Sequence, residues 1–447
     1  MRTPHRARSG RVAAALLTVT AAAGLTACSG SSDDTSGDSA EACAPADGPV
    51  EIEYWTNGID GMEDVVAIWN ENTPDIQVTV NTVDDYAPLT NALTAGNAPE
   101  LAQIEYSRIT NFRAIDGFED VSDCLETIDP DAASKFLDWT WSQATGNGEG
   151  VYGIPQDIGP MAMYYSTTLF EQYGIEIPQT WDEFRQAAEE FRENGIYITY
   201  FDPTSAGMLN GYMWQNHSSM YDYTDDGWVV TVDNEQGEQV TDFWQGLIED
   251  DLVRTDLVNF STPVNDAYAN HEMAVYISAA WGYSQLRDGV PDQSGEWAVT
   301  ELPVWDTADP SAANWGGSIV GIMKGNEYVY ESLEFLLWLS TDPEAIEMTY
   351  ELGGLFPASV EGQELPALQE GVEYYGGQQI FEVFSEAAEL VETDFMWGPT
   401  QDTVDTALVD AMSAAVSSGA SITTALEAAQ ASAVESMEAQ GLTVVDE

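Results

Sequence analysis

Four of the fourteen tryptophans stand beside turn residues, outside any helical or strand pattern. They are Trp214 in MWQNHSS, Trp281 in SAAWGYS, Trp315 in ANWGGS and Trp397 in DFMWGPT. An indole ring can stack on the apolar C–H face of a sugar, whose hydroxyl rim then needs planar hydrogen-bonding groups. We therefore expect these four side chains to contact a ligand; the alternative for each is packing in the core.

Groups that hydrogen-bond to hydroxyls occur near these tryptophans and after predicted strands. Gln215 follows Trp214, and Gly316 and Gly317 follow Trp315, where the absence of a side chain lets backbone approach a ligand closely. Four more candidates for ligand contact follow predicted strand ends: Asn57, Glu105, Arg108 and Asp157. The alternative for Arg108 is simple pairing with Glu105.

Alternating strand and helix patterns must position these residues. Short apolar runs predict strands in VEIEYWTNG, DIQVTVN and PELAQIEY, and apolar residues at helical spacing separate them. This order predicts parallel strands and an α/β fold, whose ligands bind beyond the carboxyl ends of the strands, here at residues 57–60 and 105–108. Trp69, Trp181 and Trp244 follow helical patterns and are assigned to the core.

The chain is strongly acidic. It carries 77 Asp and Glu against 12 Lys and Arg, a formal net charge of -65 over 447 residues. A field of this sign repels nucleic acid, which excludes DNA and RNA as partners. The acids are interleaved with aromatic and apolar residues, which indicates a solvated surface, and we hypothesise a halophilic or salt-tolerant exterior.

Residues 1–27 are predicted to be an export signal. A basic stretch, MRTPHRARSGR, precedes the apolar run VAAALLTVTAAAGL, which is too short to span a membrane. The LTAC that follows resembles the lipobox of bacterial lipoproteins, which implies a lipid-modified Cys28 as the first mature residue. The alternative is an ordinary signal with a chance cysteine. Residues 28–48, rich in Ser, Gly and Asp, are predicted to form a flexible tether.

Two further cysteines follow, Cys43 and Cys124. An exported chain meets an oxidising environment, so we expect a disulfide between them that pins the end of the tether to the first domain. Two free thiols are the alternative.

The sequence offers no specific catalytic or metal-binding motif. It has no G-x-S-x-G, and after the signal it has only His217 and His271, which are far apart and in no ligand motif. With 77 acids, a carboxylate pair of the kind that glycosidases use would occur by chance. We expect no metal, no cofactor and no catalysis, with a secreted glycoside hydrolase as a minor alternative.

Six stretches, in order along the chain, resemble the extracellular solute-binding proteins of ABC importers, in the group typified by maltose-binding protein. They are NALTAGNAPEL, YGIPQDIGPMAMYYSTTLFEQYGIEIPQTWDEF, HEMAVYISAAWGYSQL, WGGSIVGIMKGN, TYELGGLFPASV and ITTALEAAQ. One departure is Ser166, where the family usually has Asn; Ser fills the same role as a helix cap.

The resemblance implies an α/β fold of two lobes with the ligand between them, the type II periplasmic-binding-protein fold. It places residues 49–157 and 317–372 in the N-terminal lobe and 158–316 and 373–447 in the C-terminal lobe. It implies a monomer that captures a mono- or oligosaccharide and delivers it to the membrane permease subunits of an importer. Cys28 would hold it at the outer face of the cytoplasmic membrane, in a Gram-positive type of host. A cationic solute such as a polyamine or betaine is the alternative ligand, because tryptophan and carboxylates also recognise cations.

Overall fold

The computed structural model describes residues 43–445 apart from 84, 147 and 149. The predicted signal, Cys28 and most of the predicted tether therefore lie outside the described residues. Within the described part of the chain, no helix has the length and apolar character needed to cross a bilayer.

The first third of the chain alternates strands and helices. The strands are β1 (Val50–Thr56), β2 (Ile76–Thr82) and β3 (Leu101–Glu105). The helices are α1 (Met62–Asn72), α2 (Ala87–Ala95), α3 (Tyr106–Ala114), α4 (Ser122–Ile128) and α5 (Asp138–Ala144), with a 3-10 turn at Ala132–Lys135. β1 pairs in parallel with both β2 and β3, which confirms the predicted parallel arrangement. The strand β3 runs directly into α3, so residues 105–108 lie where a carboxyl end meets a helix start.

The middle of the chain begins with the long strand β4 (Gly153–Ser166). It continues through α6 (Thr167–Tyr173), α7 (Trp181–Glu193), β5 (Thr199–Tyr200), α8 (Ala206–Gln215), β6 (Tyr221–Thr224), β7 (Gly227–Val230), α9 (Glu235–Glu249), β8 (Val253–Arg254), α10 (Thr262–Ala269), β9 (Val275–Ala279), α11 (Gly282–Gly289), a 3-10 turn at Pro291–Gln293 and β10 (Trp297–Glu301). Ser166 caps α6 by accepting a hydrogen bond from the N–H of Leu169, as expected for a serine in that position.

The last third begins with β11 (Asn314–Ile322) and is mostly helical. It contains α12 (Val329–Thr341), α13 (Pro343–Gly353), β12 (Phe356–Pro357), α14 (Val360–Gln363), a 3-10 turn at Glu373–Tyr375, α15 (Ile380–Glu389), α16 (Gln401–Ser418), α17 (Thr424–Ala439) and β13 (Val444–Val445). Near the end of the chain, β13 pairs with β7, and β7 pairs with β6.

One strand, β4, is shared by two sets of partners. Its first half pairs with β11 and β12, and its second half pairs with β9 and β10; the change falls between Pro160 and Met161. The main sheet has the order β10-β4-β11-β3-β1-β2. The lobe boundaries at 157/158, 316/317 and 372/373 stay predictions, and the first lies within three residues of the change of partners on β4.

Cys43 and Cys124 are joined by a disulfide with Cα atoms 5.1 Å apart. It links the start of the described chain to α4, across a sequence separation of 81 residues. The three tryptophans assigned to the core, Trp69, Trp181 and Trp244, are buried as predicted.

Candidate functional site

A cavity of about 550 Å³ lies between α3, the start of α8, the start of β11 and α16. Five residues singled out from the sequence line it: Glu105, Arg108, Trp315, Gly316 and Trp397. We call this cavity the cleft. Its volume is within the range of small-molecule sites.

The start of α8 forms one wall because its loop is fixed by local hydrogen bonds. Ser205 caps the helix by accepting from the N–H of Met208, and the carboxylate of Asp202 accepts from the N–H of Thr204 at 2.8 Å. Two glycines one turn apart let the helix lie close to β11 and β4. A Cβ on Gly207 would come within 2.5 Å of Nε1 of Trp315, and a Cβ on Gly211 within 2.6 Å of the sulfur of Met161.

The start of β11 turns the Trp315 side chain into the cleft through an irregular stretch of strand. Gly316 and Gly317 have φ angles of 80° and 83°, which side chains disfavour, and the register with β4 shifts between Asn314 and Gly317. Asn314 fixes the turn, since its side-chain NH₂ donates to the Gly316 carbonyl and its Oδ1 accepts from the N–H of Gly159. Gly317 is buried against Tyr106 and does not line the cleft, so its predicted ligand contact is replaced by a packing role.

Three aromatic rings form a surface beside the cleft. Trp281 and Trp315 meet edge to face with ring centroids 5.0 Å apart, and Nε1 of Trp281 donates to the Trp315 carbonyl. Phe260 lies 6.0 Å from Trp315 and 5.6 Å from Trp281, with 57% of its surface exposed and a φ of 60°. Phe260 was not among the predicted site residues, although an aromatic residue between Asn259 and Ser261 in a polar turn can indicate a ligand contact.

Charged groups from two helices meet across the cleft. The guanidinium of Arg108, on α3, forms an ion pair with Asp402 and another with Asp405 at 3.1 Å, both on α16. Asp405 also accepts hydrogen bonds from Asn210 at 3.0 Å and from Gln401 at 2.9 Å. Neither aspartate was among the predicted site residues, although their spacing of three residues on a helical pattern places them on one face of α16.

Burial raises the pKa of Glu105 and the pKa of Asp405 above their usual values, while the positive charge of Arg108 opposes the rise in both. Asp402 and Asp405 add to the rise at Glu105 because like charges disfavour ionisation. The cleft therefore gathers three carboxyl groups around one guanidinium.

Asp157 and Asn57 do not line the cleft but belong to a hydrogen-bond network next to it. Ser318 donates a short hydrogen bond to Asp157, Gln103 donates to Ser318 at 3.0 Å, and the backbone N–H of Asn57 donates to Gln103 at 2.9 Å. Burial raises the pKa of Asp157 to about 7, although the hydrogen bond from Ser318 lowers it. This network ties β1, β3, β4 and β11 together beneath Glu105.

The prediction that Trp214 and Gln215 project from a polar loop is wrong. Both lie in the last turn of α8, and Trp214 is 0% exposed. Its ring stacks on Phe395 at 4.3 Å and its Nε1 donates to the Glu392 carbonyl, while the amide of Gln215 accepts from Trp181. Of this helix, Ala206, Gly207 and Asn210 line the cleft, whereas Trp214 and Gln215 point into the core and do not reach it.

The other predicted site residues divide into two groups. Trp397 lines the cleft but is 8% exposed, and it packs on Phe395 at 4.9 Å. Trp281 does not line the cleft itself and supports Trp315 from the side. The structure thus brings together Glu105, Arg108, Trp315, Gly316 and Trp397, with Trp281 adjacent to them.

A family model described as bacterial extracellular solute-binding protein matches residues 53–346. The chain is 27% identical over 366 residues to the arabinooligosaccharide-binding protein of Halalkalibacterium halodurans, a match that covers 78% of this chain and 80% of that one. It is 22% identical over 389 residues to the arabinooligosaccharide-binding protein of Bacillus subtilis, covering 80% of this chain and 86% of that one.

Solved structures of sugar-binding proteins also align with this chain. The galacto-N-biose-/lacto-N-biose I-binding protein of the ABC transporter from Bifidobacterium longum, in complex with lacto-N-biose, aligns with a TM-score of 0.78 at 27% identity, over 90% of this chain and 100% of that one. The sugar-binding protein MalE of Xanthomonas citri aligns with a TM-score of 0.72 at 16% identity, over 88% and 98% of the two chains. The predicted fold class, two α/β lobes of the type II periplasmic-binding fold, is confirmed.

Proposed function

This chain belongs to the family of bacterial extracellular solute-binding proteins, and we propose that it captures a sugar in the cleft and hands it to an ABC importer. The observation that carries the proposal is the placement of Trp315 beside Arg108 and Glu105 in one cavity of about 550 Å³. An indole face suits the C–H surface of a sugar ring, and a guanidinium with carboxyl groups suits its hydroxyls. The arabinooligosaccharide-binding relatives and the lacto-N-biose-binding structure support the same ligand class.

Tryptophan fluorescence tests this proposal, because Trp315 and Trp397 line the cleft. The full chain is titrated with monosaccharides and with arabino- and galacto-oligosaccharides. We expect a saturable change in emission with at least one of these sugars. Thin-layer chromatography of the same mixtures checks that the sugar is recovered unchanged, as expected of a binding protein without catalysis. Absence of any response to this panel would contradict the proposal.

A cationic solute is the second candidate ligand, and the charges of the cleft favour it. Glu105, Asp402 and Asp405 outnumber Arg108, and the aromatic surface of Trp315 and Phe260 lies beside them. Aromatic rings and carboxylates recognise cations such as polyamines and betaine. Titration with spermidine and with glycine betaine decides between the two classes: a response to these and not to sugars would favour the second candidate.

We further propose that the protein works as a monomer attached to the outer face of the cytoplasmic membrane through a lipid on Cys28, where membrane permease subunits receive the ligand. The lipobox-like LTAC and the polar residues 28–48 support this placement. A Cys28→Ala variant of the full chain is expected to be absent from the detergent-solubilised membrane fraction, and its ligand affinity is expected to stay unchanged. A variant that stays in that fraction would contradict the lipid anchor.

A further inference from the structure

A second cavity, of about 450 Å³, lies on the other side of α3 from the cleft. It is bounded by the α3 residues Ile109, Thr110 and Arg113, by Tyr152, by the β6–β7 hairpin and by the segment 396–399. Nothing in the function proposed so far uses it. We call it the second cavity.

The second cavity adjoins the cleft. Trp397 lines both cavities. On α3, Arg108 faces the cleft and its neighbour Ile109 faces the second cavity; on the other side, Asp402 lines the cleft and Pro399 lines the second cavity. The ion pair between Arg108 and Asp402 therefore stands at the border between them.

The walls of the second cavity have the same chemistry as the cleft. Tyr223 and Trp228 are opposite each other in the β6–β7 register, with ring centroids 5.1 Å apart, and Tyr223 is 52% exposed. The guanidinium of Arg113 lies 4.9 Å from the ring of Tyr152. Trp397 is more than nine-tenths buried and presents only a small part of its ring to the cavity.

Trp397 packs on Phe395, which fixes the ring that the two cavities share. The exposed ring of Tyr223 and the half-buried ring of Trp228 offer stacking surfaces for a ring with apolar faces. The β6–β7 hairpin is held in place by β13, whose Val444 pairs with Trp228, so these rings sit on a fixed support.

We propose that the second cavity binds the outer units of the same ligand whose first units lie in the cleft, so that the substrate class is an oligosaccharide of three or more units. This inference rests on the proposed sugar-binding function. The sugar chain would pass over the border formed by Arg108 and Asp402, whose charged groups would bind its hydroxyls. Tyr223 and Trp228 would then set the preference for chain length.

Isothermal titration of the full chain with arabino- and galacto-oligosaccharides of two to five units tests the inference. We expect affinity to rise with length from two to four units. In Tyr223→Ala and Trp228→Ala, affinity for the tetrasaccharide should fall roughly tenfold while affinity for the disaccharide stays as in the parent chain. Tyr330→Ala, a change on α12 away from both cavities, is the matched control and should change neither.

The outcomes separate this inference from the proposal on which it rests. If short and long sugars bind equally well and both hairpin variants match Tyr330→Ala, the second cavity is no subsite, although sugar binding stands. If the hairpin variants weaken disaccharide and tetrasaccharide equally, the length preference is overturned. If no sugar binds the parent chain, the proposed function fails, and this inference fails with it. Tyr223 is exposed, so its variant keeps the test valid if Trp228→Ala does not fold.

Discussion

Arg108 is the residue through which α3 and α16 meet across the cleft. It is one of few basic residues in a chain with 77 acids, and it faces Asp402 and Asp405 together. Asp405 is mostly buried, so removing the guanidinium leaves a carboxyl group with its charge uncompensated.

We predict that Arg108→Ala lowers the free energy of unfolding by about 2 kcal/mol and weakens ligand binding. Arg185→Ala is the matched control: Arg185 pairs with Asp250 at the surface and should cost less than about 1 kcal/mol. Urea unfolding of the two variants beside the parent chain gives the comparison. Equal losses in the two variants would show that the contact across the cleft is no stronger than a surface ion pair.

Asp157 makes stability depend on pH. Burial raises its folded-state pKa from 3.8 to about 7, so between these values the folded chain holds a proton that the unfolded chain has released. Stability from this group is therefore greatest at low pH and is lost as pH rises from 4 to 7. The raised pKa values of Glu105 and Asp405 act in the same direction.

We predict that Asp157→Asn removes much of this fall, because the amide can still accept the hydrogen bond from Ser318 without carrying charge. The gain in unfolding free energy at pH 8 should be on the order of 1–4 kcal/mol, and it should vanish below pH 4. Asp256→Asn is the control. Arg254 lowers the pKa of Asp256, so the stability that this ion pair contributes is lost only at pH values below the usual pKa of an aspartate. Denaturation series at several pH values would refute the account if the parent and Asp157→Asn curves ran parallel.

At the scale of elements, the sequence was most informative where pattern alone decides the structure. The first three strands and their parallel pairing followed from apolar runs at regular spacing. The helix α8 was not predicted, because AGMLNGYMWQ is apolar on all sides and contains two glycines. The contacts made in the folded chain explain its two glycines, since Gly207 lies against Trp315 and Gly211 against Met161.

The candidate site was predictable in part for the same reason. Glu105 and Arg108 follow a strand end and Trp315 precedes two glycines, which local pattern can identify. Asp402 and Asp405 lie nearly 300 residues from Arg108, and Phe260 lies in a different segment from Trp315, so only the fold brings these residues together. Conversely, Trp214 was predicted to be exposed because polar residues, Asn216 and His217, follow it in the sequence. In the structure its ring stacks on Phe395 in the core.

The close contact between α8 and β11 gives a prediction for Gly207. In Gly207→Ala the new methyl group meets Nε1 of Trp315, and the half-buried indole has to move. We expect ligand affinity to fall roughly tenfold while thermal stability changes little, because alanine favours the helix by about 1 kcal/mol. Gly246→Ala, in α9 and away from the cleft, is the control, where a methyl group meets only the flexible end of Arg185. Unchanged affinity in Gly207→Ala would mean that Trp315 does not depend on this contact.

The charge of the whole molecule predicts its response to salt. The acidic groups that give the chain its formal charge of -65 repel one another. Raising NaCl shortens the distance over which they interact from about 10 Å at 0.1 M to about 3 Å at 1 M. The melting temperature should therefore rise by several degrees over this range, in spite of weaker ion pairs such as Arg108 with Asp402. Calorimetric scans in NaCl, with sucrose at equal osmolality as a control for exclusion effects, would contradict the salt-tolerance hypothesis if the melting temperature stayed level or fell.

The central claim is that the cleft holds a sugar against Trp315. Isothermal titration of the parent chain, Trp315→Ala and the control Trp338→Ala, which lies on α12, tests it most directly. The account predicts one sugar bound per chain, at least tenfold weaker binding in Trp315→Ala and no change in Trp338→Ala. Equal sugar affinity in all three proteins would contradict it.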